Sequence, residues 1–190
     1  MKGDGWTAGG YFGWRFLPGL RLDLGLAHSL VNFDGKAATF AGVRWLGTLG
    51  LTGTYKLDQF TLEPSARVYM LREQENAYVD SLGTRQDARN FSTGRASTGA
   101  KLEYNWGRFD GVKLLPFVGL YGDYYLSSDN ATATIGTPLA VVHGWSARVT
   151  SGMAINWASG PSLLFGTELG GLGSSRFLTW SGRGRLNVPF

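Results

Sequence analysis

The chain of 190 residues has no cysteine, six prolines, two histidines and few charges: Asp, Glu, Lys and Arg together make up 17%. Soluble domains typically carry roughly 25%. Without cysteine there are no disulfides and no thiolate metal sites. The two histidines, His28 and His143, stand in no recognisable Ser-His-Asp spacing, and no metal-ligand spacing is present. The glycine pairs Gly9-Gly10 and Gly170-Gly171 match no phosphate-binding loop. The expectation is therefore no catalytic residue, no bound metal, no cofactor and no enzyme activity. No stretch approaches the roughly 18 apolar residues of a spanning helix. The start, Met1-Lys2-Gly3-Asp4-Gly5, is not followed by the apolar run of a secretory signal. Net charge is +4 with a pI of about 9.5, which permits nucleic-acid binding. The arginines, however, alternate along extended runs and make no contiguous patch, so no nucleic-acid partner is expected.

What is abundant is glycine (29 residues) and aromatic side chains (14%), a mix that suits strands and tight turns. The dominant pattern has period two, the signature of strands with two unlike faces. Leu20, Leu22, Leu24 and Leu26 alternate with Arg21, Asp23, Gly25 and Ala27. Trp145, Ala147, Val149, Met153, Ile155 and Trp157 oppose Ser146, Arg148, Thr150 and Asn156. Nine such runs are marked: Ala8–Leu17, Leu20–Phe33, Val43–Leu57, Phe60–Arg72, Phe91–Trp106, Val112–Leu126, Trp145–Trp157, Leu163–Leu172 and Phe177–Phe190. Across about 55 positions of the more apolar parity, random placement would put about nine charges, and the pattern shows none. The other parity carries Arg15, Arg21, Asp23, Arg44, Lys56, Glu63, Arg67, Arg95, Lys101, Glu103, Asp123, Arg148, Glu168, Arg183 and Arg185.

A soluble ligand-binding barrel would put the apolar parity inside, whereas a membrane barrel turns it to lipid. Three features favour the membrane arrangement. Bulky aromatics sit near run ends (Trp14, Phe16, Trp45, Tyr55, Tyr104, Tyr124, Trp145, Trp157, Trp180), as aromatic girdles require. The polar parity is short on the Lys/Glu decoration of a wetted surface and rich in Arg, Gly, Ser and Thr, and the runs are long enough to cross a bilayer at a tilt. Connections also alternate: Pro18-Gly19, Asp58-Gln59, Gly107–Gly111 and Ala158–Ser162 are short, while Asp34–Gly42, Glu73–Asn90 and Ser127–Gly144 are long, with the short Gly173–Ser175 as the exception. Short turns on one side and long loops on the other is the outer-membrane pattern. Glu73–Asn90 reads as an extracellular loop without a specific partner. Nine antiparallel strands cannot close evenly, so the expectation is one barrel domain over 1–190, incomplete at its N-terminus.

The segments "RWLGTLGLTGTYKL", "FTLEPSARVYMLREQENAYVDSLG", "HGWSARVTSGMAINWASG" and "RGRLNVPF" together resemble the C-terminal translocator domain of autotransporters, the type V secretion proteins of Gram-negative bacteria. The resemblance runs from about Trp6 to Phe190 and implies an all-β, antiparallel transmembrane barrel of the outer membrane, with about nine strands present of a twelve-stranded family barrel. It implies a domain that anchors and helps export an N-terminal passenger, which is absent from this chain. The charged positions named above would line the lumen. The implied partners are outer-membrane lipid, the barrel assembly machinery and the covalent passenger. Trp180, Leu186, Val188 and Phe190 would present the C-terminal assembly signal, an alternating strand recognised by edge pairing and side-chain pockets. The alternative is another outer-membrane barrel, a porin-like channel or an adhesion anchor.

Overall fold

The computed structural model describes residues 2–34, 39–129, 143–175 and 177–189. Parts of the Asp34–Gly42 and Ser127–Gly144 connections, and Phe190, lie outside these residues. Thirteen strands occur among the described residues, in chain order: β1 (Lys2–Leu17), β2 (Leu20–Asp34), β3 (Thr39–Gly53), β4 (Tyr55–Leu57), β5 (Phe60–Glu75), β6 (Tyr78–Val79), β7 (Arg85–Gln86), β8 (Arg89–Tyr104), β9 (Arg108–Phe109), β10 (Val112–Asp129), β11 (Gly144–Trp157), β12 (Ser162–Leu172) and β13 (Thr179–Asn187). The main sheet runs β1-β2-β3-β5-β8-β10-β11-β12-β13, with β4 on β5 and β9 on β10. Each pair is antiparallel, so the fold is an all-β meander in which every long strand lies beside its neighbours in sequence.

The nine alternating runs correspond to this sheet, with β3 and β4 sharing one run. Strands extend beyond the sequence expectation at the long-loop end: β1 begins at Lys2, β5 continues to Glu75 and β10 to Asp129. The stretch expected as the loop Glu73–Asn90 is thereby shortened, and β6 and β7 form a small hairpin within it. Period-two patterning fades where strands leave the apolar environment, because neither face there needs to be greasy. The Pro18-Gly19 turn uses proline's fixed φ followed by glycine at φ +80°, the combination a two-residue reversal demands. A second irregularity, at Gly171 (φ +81°), accompanies the register shift between β11 and β12 and is a bulge where two residues face one.

Register joins each parity into a continuous face. On one face lies the row Trp14, Leu22 and Leu51, then Ala66 and Thr98; another runs Leu120, Val149, Leu169, Trp180. The side chains of this face are exposed or half-exposed, Leu120 at 64% and Trp180 at 73%. On the opposite face Asp23, Glu73, Ser97, Asp123, Ser146 and Thr150 are buried, Asp123 completely. Phe117 is the only buried hydrophobic side chain among the described residues. Burial is thus inverted relative to a protein dissolved in water. A chain with dozens of exposed leucines, tryptophans and phenylalanines and a polar interior is built for a surrounding that is itself apolar.

Two aromatic belts bound the apolar face. Near the short turns, Trp14 contacts Phe16 (ring centroids 5.6 Å) and Phe60 contacts Tyr104 (5.0 Å). Near the long loops, His28 lies between Trp6 (5.8 Å) and Trp45 (4.4 Å), and Tyr124 meets Trp145 (4.9 Å). Trp45 and Tyr55 are ten residues apart, about 33 Å along a strand and about 25 Å when tilted by about 40°, the height of a bilayer-facing band. The expectation of no charge on this face needs one correction. Arg72 pairs with Trp45 and Asp4 with Asn32, so both occupy the apolar parity. Both sit at the long-loop end, where an exposed charge near the interface costs about 0–1 kcal/mol rather than the roughly 2–4 kcal/mol of the midplane.

Candidate functional site

The inner face is concave, since one cavity of about 370 Å³ is bounded by Thr52 of β3 and also by Arg183 of β13, with β5, β8, β10, β11 and β12 between them in the strand order. All fifteen charges named from the sequence fall on this parity. Their pairing was not legible in advance. Arg148 of β11 is the hub: its Nε donates to Asp123 (2.7 Å), one terminal nitrogen donates to Glu168 (3.0 Å) and the other to Ser97 (2.9 Å). Its guanidinium also lies 4.4 Å from the centre of the Tyr121 ring. Arg148 and Asp123 are not directly opposite; Arg148 faces Tyr121 and Asp123 faces Ser146. The contact is diagonal, within reach of a long side chain.

Other pairs are simpler. Glu63 and Lys101 face each other across β5 and β8 and meet at 2.6 Å, with Glu103 at 3.6 Å on the other side of the ammonium. Arg44 faces Glu73 and binds it at 2.8 Å. Glu73 was missed by sequence reasoning because it stands in the polar string Arg72-Glu73-Gln74-Glu75 and read as loop. Its parity relative to Arg67 and Tyr69 was the available signal. Arg21 binds its own-strand neighbour Asp23 at 2.9 Å, and the Tyr11 hydroxyl donates to the same carboxylate.

Six of the predicted positions, all cationic, form no ion pair with a carboxylate among the described residues: Arg15, Lys56, Arg67, Arg95, Arg183 and Arg185. Arg15 faces Arg21 directly across β1 and β2, an unfavourable juxtaposition. Arg67 donates to the Tyr69 hydroxyl (3.3 Å), and Arg95 lies 5.2 Å from the centre of that ring. The inner parity of Arg183 and Arg185 places them on the same face as Glu168, but Glu168 is engaged with Arg148.

The inner face is not uniformly polar. Toward the long loops, Tyr11, Leu46, Tyr69, Leu71 and Tyr125 line a second cavity of about 710 Å³. Lower down, inward rings lie over inward glycines. A Cβ on Gly99 would fall 2.7 Å from Tyr121, and one on Gly152 would fall 2.6 Å from Phe117 and onto the Phe165 carbonyl. Aromatic rings fill the space that the missing side chains leave.

On β13, Trp180 and Leu186 are exposed on the apolar face, Val188 follows the strand end and is also exposed, and Phe190 lies outside the described residues. Of the histidines, His28 stands in the aromatic belt, and His143 Nε2 lies 3.3 Å from the Tyr124 hydroxyl. At the tip of the β6–β7 hairpin, Asp80 accepts backbone N–H groups of Thr84 and Leu82 (2.9 Å each) and the Gln86 amide (3.1 Å). The bond from Thr84, then that from Gln86, hold its carboxyl below the ordinary value.

Among known proteins, the family model described as the autotransporter beta-domain matches residues 1–168. No curated protein sequence matches the chain. Among solved structures, the β domain of the Bordetella autotransporter BrkA is similar at 15% identity, with a TM-score of 0.36, over 97% of this chain and 74% of that one.

Proposed function

Because this chain belongs to the autotransporter beta-domain family, whose members are secretion domains and not a catalytic class, we propose that it is an outer-membrane translocator: a β-barrel that anchors a passenger attached N-terminally and helps export it to the cell surface of a Gram-negative bacterium. The observation that carries this reading is the inverted burial, with Asp123 fully enclosed and Leu120 and Trp180 open on the other face. Such a sheet is stable only where its outer surface meets lipid. Among the described residues both edges, β1 and β13, lack a strand partner on one side. In hydrocarbon each unpaired edge amide costs several kcal/mol, so the barrel is closed by further strands between them, as the twelve-stranded family plan supplies.

The test is to express the chain in a Gram-negative host with a signal peptide, the upstream coding sequence of its own gene and an epitope tag ahead of β1. The expected product migrates heat-modifiably in the outer-membrane fraction, and protease added to intact cells removes the tag. Recovery in the soluble fraction would overturn the membrane reading. A membrane-embedded product whose tag resists protease would overturn export and favour the second reading, a channel or adhesion anchor. That reading draws support from the unpaired inner cations.

A further inference from the structure

We propose that Arg67, Arg95 and Arg183 form an anion-binding site on the inner face, for a small solute carrying two or more carboxylate or phosphate groups. The three line the cavity of about 370 Å³, together with Lys101 and Arg148. The carboxylates of that lining are Glu63 and Glu168, and each is already bound, Glu63 to Lys101 at 2.6 Å and Glu168 to Arg148 at 3.0 Å. Asp123 and Glu103, just beyond the lining, are bound to Arg148 and Lys101 in turn. Every inner carboxylate in this region is therefore engaged, and the remaining charge is positive.

The three arginines are also held in place. Arg67 donates to the Tyr69 hydroxyl at 3.3 Å, and Arg95 lies over the same ring, so one tyrosine fixes two guanidinium groups. Arg67 Nε lies 3.0 Å from where a Gly50 side chain would begin, and Arg183 Nε 3.7 Å from the equivalent point on Gly166. The glycines let the guanidinium planes lie close to the sheet. A guanidinium has five N–H donors in a fixed fork that matches carboxylate and phosphate oxygens. Arg67 spends one donor on Tyr69, and no bond from Arg95 or Arg183 to a carboxylate is present among the described residues. Asp23 and Asp123 attract Arg67 and Arg95 from a distance, but cations outnumber carboxylates in the cavity lining; positive groups in such excess repel one another, and a multivalent anion relieves that. The cavity volume suits a small solute.

The site requires the folded sheet and does not depend on export, so its test stands apart from the one above. The chain, expressed with the upstream coding sequence that completes its barrel, is refolded in zwitterionic micelles, its folding checked by heat-modifiable migration and far-ultraviolet circular dichroism, and titrated calorimetrically at low ionic strength with citrate, pyrophosphate and neutral glycerol. Saturable binding of an anion but not of glycerol, weakening as salt rises, is expected. Citrate and pyrophosphate distinguish carboxylate from phosphate preference. Arg67→Gln with Arg95→Gln should weaken binding ten-fold or more. Arg15→Gln with Lys56→Gln removes equal charge from the same face outside the cavity and should change it less than two-fold. If the glutamine pair does not fold, Arg67→Lys with Arg95→Lys keeps the charge but loses the fork, and a smaller loss is expected. Absence of saturable anion binding by the folded wild type would overturn the site. So would equal losses in the cavity pair and the Arg15/Lys56 pair, which would reduce it to diffuse positive potential.

Discussion

The two faces of this sheet are made by the same strands and follow opposite rules. On the inner face space is scarce: Asp123 is fully buried, Arg148 is bound by three partners, and glycines such as Gly152 exist because a neighbouring ring takes their side-chain volume. On the outer face space is free: a Cβ added to Gly10, Gly47 or Gly184 would meet nothing within 4 Å, and leucines such as Leu120 stand open to the surroundings. Specific contacts decide stability on one side, and the surrounding medium decides it on the other. Point changes should therefore fail for different reasons on the two faces.

The largest effect should follow from Arg148→Ala, which leaves Asp123 charged and enclosed. Removing one partner of a buried pair costs about 3–5 kcal/mol, and urea unfolding in micelles should show it as a lowered midpoint. Replacing Asp123 and Arg148 together by Leu and Met should recover much of that loss, since the pair itself contributes little net. Slightly smaller is Leu120→Arg on the outer face, about 2–4 kcal/mol if the position lies at midplane depth. It should be costly in vesicles of natural thickness and nearly silent in detergent, a contrast that Arg148→Ala should not show. The glycines sharpen the comparison further. Gly152→Ala should destabilise by about 1–3 kcal/mol through overpacking, whereas Gly47→Ala, in open space, should be neutral or stabilise by up to about 1 kcal/mol. The smallest effect belongs to neither face. Asp80 has a depressed carboxyl value in the folded hairpin, so its contribution is present above the unfolded value and lost as pH falls through the folded one. Proteolytic nicking of the β6–β7 hairpin should rise in acid for the wild type, and Asp80→Asn should show high nicking at all pH values.

Much of this organisation could be read from residue order alone, and the division has a physical origin. Parity is a local property, so the nine runs and the inward set from Arg15 to Arg185 follow from neighbours two apart. Pairing is not local. Arg148 reaches Asp123 diagonally, across a register that depends on turn lengths and on the bulge near Gly171. That Phe117 covers Gly152, or that Tyr121 covers Gly99, depends on the same registers. Glu73 escaped because patterning weakens at strand ends, where both faces meet water or headgroups. The apolar patch of Leu46, Leu71 and Tyr125 escaped for the converse reason, a few apolar residues on the parity otherwise reserved for charge.

The order of strands has a kinetic consequence. Every long strand between β1 and β13 is hydrogen-bonded to the long strands before and after it in sequence, and no connection exceeds the fourteen residues between Asp129 and Gly144. Loop-closure entropy grows only slowly with length and is small for such links. Each step of assembly is therefore the addition of one strand to an existing edge, and no step must gather distant parts of the chain at once. A low-contact-order ribbon of this kind can form hairpin by hairpin. The single slow, non-local event left to it is the closing of the barrel, when the strands that complete it bridge its first and last edges.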